Sequence, residues 1–353
     1  MHTSSRLRVA IVGMGLIGNR HAWAYEQHPL VDIVGICDTD PVRTGQGAER
    51  FDCPGHTSYQ EIAARTDIDL VSVCTPDPFH VEPIMAMLKS GKHVLAEKPL
   101  TLSYAEAKML VDEATLRNLV LSVRLPQRHV AEHRRIRNTI ESGRLGELVA
   151  GSVRSLIPIT MPMSLSWASL TDLHWLYHQH RYDLVRWLVS LEAVDVFARG
   201  QRRVLIERGI DCYDSVQVTV TYANGASIVY DTSWINPPTW RRGAIGLDLL
   251  FTNGRVATAG EPTTSIALLT QNGHNGSGPG IVADPLGASG ALPENQWRPV
   301  QEVADAILRG EAPPITTADV LAVMAILEAT DRSLRSGGPV AIRDVIGSPV
   351  AAP

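Results

Sequence analysis

The sequence predicts a two-domain α/β protein, with a doubly wound domain of parallel strands over residues 1–125 and a second α/β domain, rich in hairpins, over 126–353, whose final helices are free to pack back on the first. Three observations carry that expectation. An apolar run, LRVAIV, passes directly into a glycine turn, GMGLIG. Strand-like and helix-like patterns then alternate up to residue 125, the order that builds parallel sheets. Further on, DSVQVTVTYANGASIVYDTSW alternates apolar and polar residues on both sides of Asn224-Gly225, a strong hairpin signal. The length agrees, since 353 residues at about 150 per domain make two.

Leu7 to Val12 read as a strand buried on both faces. Gly13, Gly15 and Gly18 follow at the G-x-G-x-x-G positions, before a helical pattern from Ile17 to Gln27. The first glycine permits a tight turn, the second a close approach of pyrophosphate to the backbone, and the third close helix packing. Met14, Leu16 and Ile17 share that loop. A second apolar strand, VDIVGICD, ends at Asp38, 20 residues beyond Gly18 and just before Thr39. A carboxylate there accepts the ribose hydroxyls of an adenosine and repels a 2′-phosphate, so NAD is favoured over NADP, although Arg43 is close in sequence.

Helices are expected at Pro41–Glu49 and Tyr59–Arg65. The strand DLVSVC ends in Cys74-Thr75-Pro76, and the strand His93–Ala96 ends in Glu97-Lys98-Pro99. Ligands of open α/β sheets bind at the carboxyl ends of strands, so Cys74, Thr75, Pro76, Glu97 and Lys98 are cofactor-site candidates.

In the second domain a helix from Ala131 to Ser142 should stop at Gly143. AIGLDLLF leads to a second hairpin at Asn253-Gly254, then a glycine-rich loop (272–290) and helices Trp297–Arg309 and Thr317–Ser336. The segment TDLHWLYHQHRYDLVRWL holds His174, His178 and His180. His174 and His178 have the i, i+4 spacing of a helical metal pair, but no Glu completes an HExxH pattern. No metal is expected, and hydrogen bonding in a pocket is the favoured role for His178.

Hydrophobic residues make up 44% and charged residues 20% of the chain, the profile of a folded globular protein. A formal charge of −5 argues against a nucleic-acid surface. The long uncharged runs carry prolines or are filled with polar residues, so no membrane span is expected. The lead MHTSSRLRVAIVGMGLIG lacks the pattern of a signal peptide, and a cytoplasmic location is expected. Four cysteines without metal-like spacing read as free thiols.

Together GMGLIG, Asp38, the strand-end TP followed by His80, GKHVLAEKP, the ESGRLGE turn at 141–147 and His180-Arg-Tyr-Asp183 before VRWL resemble the Gfo/Idh/MocA family. These are the relatives of glucose–fructose oxidoreductase and inositol dehydrogenase, and the resemblance covers essentially the whole chain. It implies an N-terminal Rossmann domain, with His80 at the cofactor site, and a C-terminal α/β domain whose open, largely antiparallel sheet packs against another subunit. A homodimer or homotetramer is therefore expected. It also implies hydride transfer between nicotinamide and a secondary alcohol or ketone of a sugar, glycoside, aminosugar or inositol.

By the same resemblance Lys98 is the active-site lysine, a cation placed to stabilise developing oxyanion character. His180 is the active-site histidine and general base, suited by an imidazole pKa near 6.5. Asp183, one helical turn on, orients His180 or binds substrate. Many members carry an Asp four residues before this histidine, preceded by Gly-Gly. Here Leu176 stands in that place without a glycine pair, and Tyr177 and Asp172 are the candidates to replace the carboxylate. Residues 156–172 should form an apolar wall in which Trp167 stacks on a sugar ring. Arg124 and Gln127 are expected to touch nicotinamide or substrate. A dinucleotide-binding regulator with the same fold and no turnover is the alternative reading.

Overall fold

Strand β1 (Leu7–Val12) is the axis of the first sheet in the computed structural model, which describes residues 6–237, 244–258, 266–270, 273–276 and 292–347. Val9, Ala10 and Ile11 have no exposed surface, because helices cover both faces. Around β1 lie β2 (Val31–Cys37), β3 (Gly55–His56), β4 (Leu70–Val73), β5 (His93–Ala96) and β6 (Leu121–Val123), in the order β3-β2-β1-β4-β5-β6. Every pairing is parallel. The connecting helices are α1 (Leu16–Glu26), α2 (Pro41–Phe51), α3 (Tyr59–Ala64), α4 (Val81–Lys89) and α5 (Tyr104–Leu116). The winding direction reverses between β1 and β4, and that switch point at the carboxyl ends is where such sheets bind ligands. Local chemistry starts the helices: Asp40 accepts the Val42 N–H at 2.9 Å with Pro41 in the first helical position.

The chain divides into two units, Met1–His129 with Pro285–Leu321, and Val130–Asp284 with Ala322–Pro353. Residues 285–321, from the final part of the chain, thus join the first unit. The helix Glu294–Arg309 belongs to the first unit, where Val300, Val303 and Ala304 share a core with Ala22, Ala24 and Tyr25 of α1. Each valine buried there is worth roughly 1.5–3 kcal/mol, and Gln301 anchors the pair by donating to the Ala24 carbonyl at 2.8 Å.

The second unit begins with α6 (Ala131–Glu141), which stops before Gly143 at φ +74°. Its sheet contains β7 (Leu148–Pro158), β8 (Ala193–Gln201), β9 (Ser215–Tyr222), β10 (Ser227–Asn236), β11 (Ala244–Phe251), β12 (Gly254–Thr258), β13 (Ile266–Thr270), β14 (Gly273–Gly276) and β15 (Val340–Ala341). The order is β14-β13-β12-β11-β7-β10-β9-β8-β15, antiparallel throughout except for β7 with β10. On the inner face Ser155 of β7 and Tyr230, Thr232 and Trp234 of β10 are buried. Against them lies α8 (Gln179–Val189), which follows a short helix, α7 (Thr160–Ser164). Tyr182 of α8 meets Tyr230 edge-on at 4.8 Å and shares a 2.9 Å hydrogen bond with Thr330 of the long helix Thr317–Ser336. The outer face exposes Phe197, Val229 and Leu250.

Both expected hairpins form, the second with a shift. Gly225 takes φ +86° in the first turn. In the second, Phe251 pairs with Gly254, so Thr252-Asn253 make the turn, one residue earlier than expected. Of the glycine-rich loop placed at 272–290, residues 273–276 are strand β14, and the rest lies outside the described residues. Among the described residues no helix is long and apolar enough to cross a membrane.

Candidate active site

The turn after β1 is shaped by three glycines with different duties. Gly13 has φ +96°, and a Cβ there would lie 2.6 Å from the Cys74 backbone. A Cβ on Gly18 would lie 1.8 Å from the Gly13 carbonyl oxygen, so any side chain would push α1 off the turn. Gly15 faces open space, with nothing within 4 Å of a built Cβ. The fold therefore needs Gly13 and Gly18, while the bareness of Gly15 leaves room for a ligand at the amino end of α1. Asp38 is pinned beside it, its Oδ2 accepting the Met14 N–H at 2.7 Å and its Oδ1 the Asp40 N–H at 2.9 Å. Arg43 approaches Asp38 to 4.0 Å. Leu16 and Thr39 are exposed at the rim and Ile17 is half-buried. Met14 and Cys74 turn their side chains into the core, so each presents only backbone to this crevice. Burial pushes the Cys74 thiol up, keeping it protonated.

The loops after β4 and β5 are tied together by His80, which is fully buried. Its Nδ1 lies 2.6 Å from the Pro99 carbonyl oxygen and its Nε2 2.8 Å from that of Thr75. Pro76 leads the short turn between them, and the Thr75 hydroxyl donates to the Phe79 carbonyl at 2.9 Å. His80 thus braces the loops after β4 and β5 against each other. Lys98 is half-buried at the carboxyl end of β5, next to a cis Lys98–Pro99 peptide.

Behind Lys98 sits a buried polar cluster that centres on Glu97. Its Oε1 is 3.1 Å from His21 Nε2 and accepts from Arg124 Nη1 at 3.2 Å, while Oε2 accepts the Lys98 N–H at 3.2 Å. His21 continues to the Ser72 hydroxyl at 3.1 Å, and Tyr25 Oη reaches the same hydroxyl at 2.7 Å. Arg124 also donates to Gln296, at 2.8 Å to Oε1 and 3.1 Å to the carbonyl. Burial alone would raise the Glu97 carboxyl, but the Arg124 guanidinium and the His21 hydrogen bond outweigh it and hold it well below the usual carboxylate range. His21 moves the other way, since burial dominates and lowers its pKa. Arg124, expected to touch nicotinamide or substrate, is spent on this cluster, as is the Glu97 side chain. Gln127 is half-buried on the turn Pro126–His129.

In the second unit the histidine segment is not a uniform α-helix. His174–His178 form a π-helical turn that runs into α8. Such turns change the phase of a helix and recur at functional sites. His180 sits half-buried on the first turn of α8, with Asp183 fully buried one turn on. Tyr177 is half-buried, its ring edge-on to Trp234 at 6.1 Å. Asp172 precedes the helix, and its carboxylate is held by the Tyr213 N–H and by Arg202, both at 2.8 Å. That commitment leaves Asp172 as a brace instead of a substitute for the carboxylate absent at Leu176. His178 lies within the aromatic core, its Nδ1 3.0 Å from Tyr182 Oη, and burial drives its pKa well below the ordinary value. It is therefore a neutral core imidazole and not a pocket residue. His174 Nε2 lies 3.5 Å from Asp331. Trp167 is half-buried, and Met161, Met163 and Leu170 nearby are exposed.

Two family models match the chain in succession: an oxidoreductase family with an NAD-binding Rossmann fold over residues 7–125, and the GFO/IDH/MocA C-terminal domain over 133–257. The chain belongs to the Gfo/Idh/MocA family. It is an NAD-binding oxidoreductase, and the glycine turn, Asp38 and the open space at Gly15 fit that cofactor. An inositol 2-dehydrogenase of Rhizobium meliloti is 27% identical over 278 residues, 76% of this chain and 80% of that one. In fold the chain is similar to an oxidoreductase of Agrobacterium radiobacter solved with NAD+, L-tartaric acid and magnesium, with TM-score 0.84, 19% identity, and 96% and 99% of the two chains covered. It is likewise similar to levoglucosan dehydrogenase solved with NADH, with TM-score 0.83, 22% identity and the same coverage.

Within this Gfo/Idh/MocA framework the sequence reading missed His21, Tyr25 and Gln296, which build the cluster behind Lys98. A histidine and a tyrosine four residues apart on the inward side of α1 were the available sign. It also passed over Arg181, adjacent to His180.

Proposed function

We propose that the chain transfers hydride between NAD and one secondary alcohol or ketone of a sugar, glycoside, aminosugar or inositol. The activities named for the inositol and levoglucosan relatives support that substrate class. The glycine turn and Asp38 would hold NAD, which would supply the hydride acceptor for alcohol oxidation, or the donor in reverse. His180 accepts the hydroxyl proton as the carbon–oxygen double bond forms, and the Lys98 ammonium stabilises the negative charge that builds on the oxygen. Asp183 orients the His180 ring, and Tyr177 stands in for the carboxylate absent at Leu176. Trp167 offers a ring face to the sugar, with the exposed methionines beside it. Asp38 favours NAD over NADP, because it would face a 2′-phosphate with a second negative charge. The outer face of the second sheet, with Phe197, Val229 and Leu250 exposed, packs against another copy in a homodimer or homotetramer.

The observation that carries this reading is the Glu97 clamp. A buried carboxylate fixes the Lys98 backbone at the carboxyl end of β5, where a ligand of such a sheet reacts. The test is steady-state kinetics beside NAD titration. Lys98→Ala and His180→Ala should each lower turnover by at least about 10²-fold with NAD affinity nearly unchanged. Loss of NAD binding without loss of turnover at saturation overturns the assignment.

A further inference from the structure

Arg181 is 5% exposed, yet its guanidinium has one hydrogen bond among the described residues, from Nε to Ser155 Oγ at 2.9 Å. Its Nη1 is buried without a partner among the described residues. Burial pulls its pKa down to about 10, so it stays charged at neutral pH, and among the described residues only Tyr177 opposes that pull. Such a charge is costly unless something of opposite sign meets it. Beside it on the inner face, Thr232 is paired in register with Ser155, and its hydroxyl is also buried without a partner. Thr232 lies on the same face of β10 as Trp234, which holds the Tyr177 ring. Arg181 follows His180 directly and lies one helical turn after Tyr177. The cluster is thus continuous with the segment assigned to catalysis.

We propose that Arg181, Ser155 and Thr232 form a subsite for a carboxylate, so that the substrate is a polyhydroxy acid, a sugar or cyclitol that carries a carboxyl group. The inference rests on the dehydrogenase reading above and narrows its substrate class. One guanidinium and two hydroxyls balance a single negative charge, which suits a carboxylate better than a doubly charged phosphate ester. A carboxylate would take the Arg181 Nη1 donor and the Thr232 hydroxyl, giving a partner to two groups that have none among the described residues.

The experiment uses the full chain with saturating NAD and matched probes: glucose and glucuronate, methyl glucoside and methyl glucuronide, an inositol and quinate, and glucose 6-phosphate. Thermal-shift and binding titrations are read beside NADH formation. A carboxylate probe should bind at least about tenfold more tightly than its neutral partner, and Arg181→Met should abolish that preference. Because the guanidinium has no counter-charge among the described residues, Arg181→Met should also raise the melting temperature of the protein without probe, whereas loss of a structural ion pair would lower it. Thr232→Val, a milder change, should weaken carboxylate binding and leave binding of neutral probes unchanged. Equal binding of neutral and acidic probes, preference for the phosphate, or a preference that survives Arg181→Met each overturns the subsite. Oxidation of neutral polyols without any carboxylate preference would leave the dehydrogenase reading standing and remove this one. Arg181-dependent binding of acids without any turnover would do the reverse.

Discussion

Glu97→Gln isolates the cluster behind Lys98, because it keeps the shape of the side chain and removes its charge. Glu97 is 6% exposed and Arg124 4%, so solvent does little to screen them. The wild-type carboxylate meets His21, Arg124 and the Lys98 N–H at 3.1–3.2 Å. The glutamine retains one acceptor oxygen but turns an amide toward one of these donors, and it leaves the guanidinium buried without a counter-ion. Removing one partner of a buried pair costs about 3–5 kcal/mol, a large share of a total of roughly 5–15 kcal/mol. The bonds from Arg124 to Gln296 survive the change and favour the lower end. At roughly 2–4 °C per kcal/mol the melting temperature should fall by about 6–15 °C, measured by circular dichroism. Arg124→Met in the Glu97→Gln background should recover part of the loss, since the double variant buries no net charge. A fall below about 2 °C, or simple additivity of the two changes, would refute the account of this cluster.

The glycine turn predicts opposite outcomes for neighbouring positions. Gly15→Ala should leave the melting temperature almost unchanged and weaken NAD binding at least about tenfold, because its Cβ meets no protein atom within 4 Å. Gly18→Ala should destabilise the protein itself, because its Cβ falls 1.8 Å from the Gly13 carbonyl oxygen. Isothermal titration with NAD and thermal melts separate the two, and equal effects of both substitutions on stability would contradict the geometry. His21 and His178 are buried, and burial lowers the pKa of both. The unfolded chain takes up protons near pH 6.5 that the folded chain refuses, so their contribution is whole above that value and declines below it, by at most about 1.4 kcal/mol per group per pH unit. Melting temperature should fall between pH 7.5 and 5.5, and a His178→Phe variant should show a flatter profile; a flat wild-type profile would count against both assignments. Light scattering should give the mass of a dimer or tetramer, with Phe197→Glu and Val229→Glu lowering it, whereas a monomeric wild-type chain would exclude the outer sheet face as an interface.

What was legible in the sequence was local. The run Leu7–Val12, the glycine turn and the strand ending at Asp38 follow one another directly, and their chemistry depends on neighbours close in the chain. The hairpin at Asn224-Gly225 is equally local. The partners of Glu97 are not: His21 lies 76 residues away, and Arg124 meets Gln296 across 172 residues. No periodicity reports such a pairing, so Glu97 and Arg124 read as ligand contacts although their charges are spent on each other. Asp172 misled for the same reason, since its ion pair with Arg202 spans 30 residues. The π-turn at His174–His178 left no pattern to read. The sequence leaves open a return of the final helices to the first domain, but the apolar stripe of the helix Glu294–Arg309 fits any apolar surface, and only the packed α1 shows which one it meets.

The most direct test of the central claim is nicotinamide absorbance while the purified chain and NAD meet neutral and acidic sugars, glycosides, aminosugars and inositols, with His180→Ala run in parallel. The account predicts NADH formation with at least one of these classes and its loss, by at least about 10²-fold, in the variant. No NADH from any of them, with NAD binding confirmed on the same sample, would contradict it.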